Sequence, residues 1–139
     1  MRKRTKARHL ALQILYQIDI TRDNSSASLD NFWLSQQPEV DSAIKQFTLE
    51  LVRGIQEHRE IIDRKIAQYA ENWELRRMAV VDRNILRQAC FELLFRPEIP
   101  PKVAINEAIE LAKHFSSVEA GKFVNGILDK IRLDIAENH

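Results

Sequence analysis

Residues 7–18 read ARHLALQILYQI, and within this stretch apolar side chains recur every three or four positions. That spacing places them on one face of an α-helix. Similar stripes follow along the whole chain, and no segment shows a convincing strand pattern. The sequence therefore predicts an all-α protein of about six or seven helices. The apolar positions that define the clearest stripes are Ala7, Leu10, Ala11, Ile14, Leu15, Ile44, Phe47, Leu51, Ile55, Ile85, Leu86, Ala89, Leu93, Ala104, Ala108, Leu111, Val124, Ile127, Leu128 and Ile131.

Side chains that favour helix ends indicate where several of these helices begin. Thr5 is the predicted N-cap of the first helix, and Asp41 that of the third. The pair Pro100-Pro101 suits the first turn of a later helix, because proline is tolerated there. Ser116 and Glu119 have the spacing of a capping box, which predicts the start of the last helix.

The length of 139 residues fits a single domain. A break in the stripes near residues 70–78 divides it into helical subdomains of about 1–72 and 73–139. Each would be a small helical bundle that is too small to bury its stripes alone. We therefore expect the two bundles to share an apolar interface.

Composition argues against an enzyme or a metalloprotein. The three glycines are scattered and form no phosphate-binding loop. The single cysteine, Cys90, lies in an apolar helical pattern that predicts a buried structural thiol. A single cysteine cannot form a disulfide within the chain, which suits a reducing cytoplasm. No apolar run approaches the length of a membrane span. The histidines lack the close pairing of a helical zinc site, so no metal is predicted; they are His9, His58, His114 and His139. No catalytic residue or cofactor is predicted either.

The charge distribution is more informative than the net charge of +1. Residues 1–18, called the basic head here, contain five Lys and Arg residues and no acid, so the rest of the chain is mildly acidic. On a helical wheel, the side opposite the apolar stripe gathers Arg2, Lys6, His9, Gln13 and Tyr16. Cations neutralise phosphates and an exposed ring stacks on an unpaired base, so the head is a candidate single-stranded RNA site. Five phosphate contacts would give a log–log salt slope of about −3.5. The basic residues are Arg2, Lys3, Arg4, Lys6 and Arg8.

Several blocks in this sequence resemble the NusB family of bacterial transcription antitermination factors. The opening helix is similar through Ala7-Arg8 and Leu15-Tyr16, and the fifth helix through Asp82–Arg87. The segment Lys102–Lys113 resembles the most distinctive block of the family, and Lys122–Asp129 resembles the closing one. These blocks keep the family order and span nearly the whole chain.

The resemblance implies an all-helical fold of two three-helix bundles and a function without catalysis. Proteins of this family bind boxA RNA together with a small-subunit ribosomal protein, NusE. The complex helps RNA polymerase to read through terminators, notably in ribosomal RNA operons. The resemblance leaves open whether the chain forms a homodimer without that partner.

The resemblance also implies roles for individual residues. The arginine-rich start maps to Arg4, Lys6 and Arg8, and the aromatic residue of the first helix maps to Tyr16. Lys122 and Phe123 match a second patch near the RNA. Asp82 matches an acid that faces the ribosomal protein. From the residues alone, Phe123 also fits a core position, and Asp82 an ordinary acid in a first helical turn.

Two other functions stay open at this point. The first is the NusB-like accessory domain of a ribosomal RNA cytosine methyltransferase, which the end of the chain at His139, without a glycine-rich cofactor-binding fold, argues against. The second is a helical protein–protein adaptor, in which the basic head would be dispensable. The segment Asn72–Arg77 does not align with the family, and Trp73 is interpreted there as a residue that closes the space between the bundles.

Overall fold

The structure is a computed structural model that describes residues 1–36 and 38–138. Within these residues it contains seven α-helices, one short 3₁₀ helix and no strand, which confirms the all-α prediction. The α-helices are α1 (Lys3–Thr21), α2 (Ser26–Leu34), α3 (Ser42–Glu57), α4 (Arg59–Tyr69), α5 (Val80–Phe95), α6 (Pro101–Phe115) and α7 (Val118–Glu137), and the 3₁₀ helix covers Leu75–Arg77.

The helix ends match the predictions in part. Asp41 caps α3 as expected, since its Oδ1 accepts a hydrogen bond from the Ala43 N–H at 2.8 Å. The prediction for Thr5 is wrong, because α1 already begins at Lys3. The capping box is also wrong by one residue. Ser117, rather than Ser116, caps α7 and accepts a hydrogen bond from the Ala120 N–H at 3.0 Å.

The chain consists of two compact units, an N-terminal unit (Met1–Arg53) and a C-terminal unit (Gly54–His139). In the N-terminal unit, α1 buries one face, and α3 approaches it closely. The Thr48 hydroxyl donates to the Ile44 carbonyl at 2.7 Å and lies 3.3 Å from the Ala7 carbonyl oxygen. The buried apolar side chains of this unit include Ala7, Leu10, Ala11, Leu12, Ile14, Leu15, Phe32, Phe47, Leu51 and Val52.

In the C-terminal unit, α6 packs extensively against both α5 and α7, and α4 packs against α5. A partly buried ion pair joins α4 to α5, with Arg87 Nε 2.8 Å from Asp63 Oδ1. A second ion pair, between Lys65 and Asp134, joins α4 to α7. The predicted boundary between two bundles at about residue 72 falls in the turn after α4, and it stays a prediction.

Gly54, the first residue of the C-terminal unit, lies at very short range from Phe91 of α5. A Cβ atom at this position would lie 2.2 Å from Phe91 Cζ, far inside van der Waals contact. Gly126 in α7 is different, because a Cβ atom there would meet nothing within 4 Å. Gly54 is therefore needed for packing, whereas Gly126 is not. Among the described helices, none has the length and apolar content that crossing a bilayer requires.

Candidate nucleic-acid interface

The positive charge of the basic head is concentrated at the start of α1. Arg2, the N-cap residue, makes no side-chain capping bond, and the first turn contains no acid. Arg2, Lys3 and Arg4 are exposed, and Lys6 is half-buried. Helix N-termini also present unpaired backbone N–H groups and the positive end of the helix dipole. The start of α1 is thus suited to bind anions.

Phe47 of α3 lies beneath two cations of the basic head. The Arg4 guanidinium carbon is 4.4 Å from the centre of the Phe47 ring, and that of Arg8 is 5.5 Å away. Both distances fall within the range of a cation–π interaction. The Phe47 side chain is 6% exposed, so its ring is fixed by packing and restricts where the two guanidinium groups lie.

Arg8 differs from the other basic residues of the head. It is 2% exposed, so in this conformation it offers almost no surface to a phosphate. Its position over the Phe47 ring instead suits a structural contact between α1 and α3. Lys3 lies 3.4 Å from Asp41, but both side chains are largely exposed, and such surface pairs are weak.

The remaining residues of the predicted α1 face lie where the helical wheel places them. Tyr16 is 41% exposed, and His9 and Gln13 are half-buried. At 1.5 Å per residue, Arg2 and Tyr16 are separated by about 21 Å along the helix axis. This face therefore combines charge at one end with an accessible ring near the other.

The second predicted patch lies in the C-terminal unit, near the start of α7. Lys122 is exposed, and Phe123 is half-buried. The Phe123 ring packs against Trp73 in an edge-to-face arrangement, with centroids 5.8 Å apart and planes at 73°. Trp73 itself is 53% exposed. This exposure argues against the interpretation that Trp73 fills an interior space.

Phe123 and Asp82, which were predicted to serve different partners, line one open depression. Its volume is about 390 Å³, and we call it the aromatic depression. Asp82 lies in the first turn of α5, and its Oδ1 is buried without a hydrogen-bond partner. Buried acceptors are nearly always paired, so this atom is unusual. The lining residues are Trp73, Met78, Ala79, Asp82, Ser117, Glu119, Ala120 and Phe123.

The prediction that Cys90 is a buried structural thiol is confirmed. The thiol is fully buried, and burial raises its pKa to about 12. It is therefore uncharged at neutral pH and poorly suited to act as a nucleophile. Over residues 1–36 and 38–138, no group of three or more His, Cys, Asp or Glu side chains could hold a metal ion. His139 lies outside the described residues.

Two residues of these patches, Phe47 and Trp73, were not predicted from the sequence as interface residues. Phe47 belongs to an apolar stripe, and no sequence signal connects it with arginines about 40 positions earlier. Trp73 offered a weak signal, because a tryptophan among polar residues in a break between stripes is often accessible. The left-handed backbone of Asn72 (φ 64°) and the turn bond from the Trp73 N–H to the Ala70 carbonyl (3.0 Å) position it.

Comparison with known proteins places these patches in a family context. The protein-family model described as "NusB family" matches residues 5–132 of this chain. The chain is 50% identical over 129 residues to "Transcription antitermination protein NusB" of Anaeromyxobacter dehalogenans, which spans 93% of this chain and 89% of that protein. It is 43% identical over 133 residues to the protein of the same name from Desulforapulum autotrophicum, at 96% and 93% coverage.

Solved structures agree with the sequence comparisons. The chain is similar to T. maritima NusB, with a TM-score of 0.79 and 38% identity over 95% of this chain and 91% of that one. It is also similar to a chain in the crystal structure of antitermination factors NusB and NusE in complex with double-stranded RNA. There the TM-score is 0.85 and the identity 29%, over 96% of this chain and 98% of that one.

Proposed function

The chain belongs to the NusB family, and from that membership we propose that it is an RNA-binding transcription antitermination factor. It binds the boxA element as single-stranded RNA together with the ribosomal protein NusE. The complex then helps RNA polymerase to read through terminators, notably in ribosomal RNA operons. The protein is not an enzyme, and we place its action in the cytoplasm.

The observation that carries this proposal is the exposed positive charge at the start of α1. Three exposed cations and a fourth, half-buried one surround a helix N-terminus that has no acid in its first turn. Phosphate contacts dominate the affinity of proteins for nucleic acids, and this arrangement supplies them. The similarity to a NusB chain solved with NusE and RNA supports the same assignment.

We assign RNA contact to both predicted patches and partner contact to Asp82. In the basic head, the assigned residues are Arg2, Lys3, Arg4, Lys6 and Tyr16, while Arg8 needs a change of conformation to reach a phosphate. At the start of α7, Lys122 contributes charge and Phe123 contributes a ring face. Asp82 is half-buried in the first turn of α5, and we assign its carboxylate to a basic residue of NusE.

The comparisons favour antitermination over the methyltransferase alternative. The relatives are named as transcription antitermination proteins, and the chain spans 89% and 93% of two of them. Those relatives therefore have little length for a methyltransferase domain. A helical adaptor without RNA contact is disfavoured by the exposed cations of the basic head.

A binding titration tests the proposal directly. Fluorescence anisotropy of a labelled single-stranded boxA RNA is measured against the full chain, with and without NusE, at about 50 and 200 mM salt. We expect weak binding alone, much tighter binding with NusE and a loss of affinity at the higher salt. Four accessible cations in the head predict a log–log slope of about −2.8 for their contribution.

Two RNA controls sharpen this titration. A scrambled strand of the same composition measures the nonspecific electrostatic binding. A duplex that contains the boxA strand tests the assignment to single-stranded RNA, which is of interest because the similar solved complex contains double-stranded RNA. The proposal is wrong if NusE produces no gain in affinity for the boxA strand over the scrambled strand. Tighter binding to the duplex would overturn only the single-stranded assignment.

A further inference from the structure

Asp41 is an acid that lies against the basic head, although it belongs to a different part of the chain. It directly precedes α3, and its Oδ2 is 3.4 Å from Lys3 Nζ. Over residues 1–36 and 38–138, this is the one ion pair described for the accessible cations of the head, and the first turn of α1 contains no acid. Asp41 is therefore the acid that a phosphate approaching Lys3 would meet.

The Asp41 carboxylate is held in place by the start of α3. Its Oδ1 accepts a hydrogen bond from the Ala43 N–H at 2.8 Å. This bond holds the pKa of Asp41 below its usual value, so the carboxylate is ionised at neutral pH. The Lys3 side chain, by contrast, is 66% exposed and ends a flexible four-carbon stem. The acid thus has a fixed position beside a mobile cation.

This position opposes the binding of a phosphate at Lys3. An ammonium group binds a phosphate oxygen at about 2.8 Å, so a phosphate oxygen on Lys3 would lie within roughly 6 Å of Asp41 Oδ2. That separation is shorter than the Debye length of about 8 Å at physiological ionic strength, so salt screens the repulsion only in part. The phosphate would also compete with the carboxylate for the same ammonium protons.

We propose that Asp41 limits the affinity of the basic head for RNA, because its carboxylate competes with a phosphate for Lys3. This inference rests on the proposed RNA-binding function and adds to it a residue that acts against binding. A repulsive group beside an attractive one is a recognised way to suppress unwanted partners. Here it keeps RNA binding by the head alone weak, so that stable binding depends on further contacts, such as those that NusE supplies.

The competing interpretation is that Asp41 orients Lys3 for RNA. A single contact of 3.4 Å between a lysine and a carboxylate that is itself 46% exposed fixes little orientation, since exposed pairs of this kind are weak. The repulsion, in contrast, acts on any phosphate that reaches Lys3. The two interpretations predict opposite signs: loss of the Asp41 charge strengthens RNA binding in the first case and weakens it in the second.

The variant Asp41→Asn tests the proposal. Asparagine is as good an N-cap as aspartate, so the variant removes the charge and keeps the start of α3. Anisotropy titrations of the full chain without NusE use labelled boxA RNA and U12 RNA at about 50 and 200 mM salt. We expect binding about two- to fivefold tighter at the lower salt, the range that corresponds to an exposed ion pair. The magnitude of the salt slope should rise by up to about 0.7.

Asp23→Asn is a matched control. Asp23 is also exposed, and its Oδ1 likewise accepts a backbone N–H bond from two residues later, that of Ser25 at 2.9 Å. It lies beyond the other end of α1, which is about 27 Å long from Lys3 to Thr21. The control removes the same charge far from Lys3, so RNA affinity should change much less than in Asp41→Asn.

A double-mutant cycle with Lys3→Ala identifies the cation through which Asp41 acts. Competition for Lys3 requires Lys3, so Asp41→Asn should lose at least half of its gain in affinity when Lys3 is replaced. An equal gain in both backgrounds would overturn the proposed competition. The gain should also be the same for boxA RNA and U12 RNA, because all strands share their phosphates. A gain confined to one strand would likewise overturn it.

The remaining outcomes separate this inference from the function on which it rests. If the wild-type protein binds no RNA with or without NusE, the proposed function fails and the inference with it. If the wild type binds RNA but Asp41→Asn binds equally or more weakly, only the inference is overturned. An equal gain in Asp23→Asn would also overturn it, because net charge would then explain the effect. Circular dichroism at the titration temperature checks that each variant keeps its helices.

Discussion

In the basic head, the exposed cations come from the first turns of one helix, whereas the aromatic depression is assembled from three separate segments. The head faces solvent with positive charge and rests on one buried ring, Phe47. In the aromatic depression the rings are accessible instead, and the unpartnered carboxylate oxygen of Asp82 is buried. Under the proposed function the two regions have different tasks: the head binds phosphates, and the ring of Phe123 in the depression stacks on a base.

The difference determines how each region should respond to salt. Phosphate contacts release counterions, and their contribution falls as the salt concentration rises. Stacking in the depression releases none, so its contribution should persist at high salt. The two regions can therefore be distinguished with the same RNA, by comparing the salt slope with the affinity extrapolated to high salt.

The largest expected effect comes from removing charge from the head. The triple variant Arg2→Ala, Arg4→Ala and Lys6→Ala should bind single-stranded boxA RNA about a hundredfold more weakly at about 50 mM salt. The magnitude of its salt slope should fall by about 2, since each lost phosphate contact contributes about 0.7. Anisotropy titrations at four salt concentrations measure both values, and circular dichroism checks that the helical content is retained.

A charge-matched control accompanies the triple variant. Replacing Arg53, Arg64 and Lys130 by Ala removes the same charge from other exposed positions. If this control lowers the slope as much as the head variant does, net charge rather than the head controls binding. That result would remove the distinction between the two regions.

Phe47→Leu should have the next largest effect, about tenfold on RNA affinity with little change in slope. The substitution removes the ring beneath Arg4 and Arg8, and cation–π contacts of this kind contribute roughly 0.5–2 kcal/mol. The charges themselves remain, so they should still reach phosphates but from less defined positions. The same titration series measures the effect.

Phe32→Leu serves as the control for lost packing. Phe32 is buried in the same unit to a similar extent, and the described cation–π contacts do not involve it. Both variants should lower the midpoint of thermal unfolding, but only Phe47→Leu should weaken RNA binding. Equal RNA affinity of the two variants would contradict a positioning role for Phe47.

Asp82→Asn should weaken binding of NusE several-fold, because it removes the charge from the acid assigned to that contact. The fold should be little affected, since the variant also removes a buried charge whose Oδ1 has no partner. Calorimetric titration with NusE in the absence of RNA isolates this contact. Glu60→Gln is a suitable control, because Glu60 is an exposed acid in the first turn of another helix, α4. Unchanged NusE affinity of Asp82→Asn would leave the depression to RNA alone.

The smallest expected effect is a dependence of stability on acid pH in both units. The Ala43 N–H bond, and secondarily Lys3, lowers the pKa of Asp41, and hydrogen bonds from Lys65 and Tyr69 lower that of Asp134. A lowered native pKa stabilises the fold above the unfolded value of about 3.9, and this stabilisation is lost as pH falls through the native value. Thermal unfolding between pH 7 and 2.5 measures it.

The variants Asp41→Asn and Asp134→Asn assign the acid dependence to one unit or the other. Each should be less stable than the wild type at pH 7, and the difference should shrink at the acid end of the range. A difference that is constant with pH would show that the carboxylate charge is not the source. A marked effect in only one variant would show that the two units differ in acid sensitivity.

The sequence was sufficient for the helices and for the exposed part of the head, but not for the details of either site. Apolar stripes report burial along a helix, so most elements were predictable. Ser116 and Ser117 are equally good caps by composition, and the backbone alone decides between them. Arg8 counts as a charge in the sequence, but it lies next to Ala7 at the edge of the buried face. The pairing of Trp73 with Phe123 depends on tertiary structure, because 50 positions separate them.

Gly54 has a consequence for how this protein tolerates sequence change. Because the Phe91 ring occupies the space of a Cβ atom there, positions 54 and 91 are expected to vary together in related sequences. A side chain at 54 then requires a smaller residue at 91, so Gly54→Ala should be far less harmful when combined with Phe91→Leu. No such covariation is expected at Gly126, where drift to alanine should be free and even favourable for the helix.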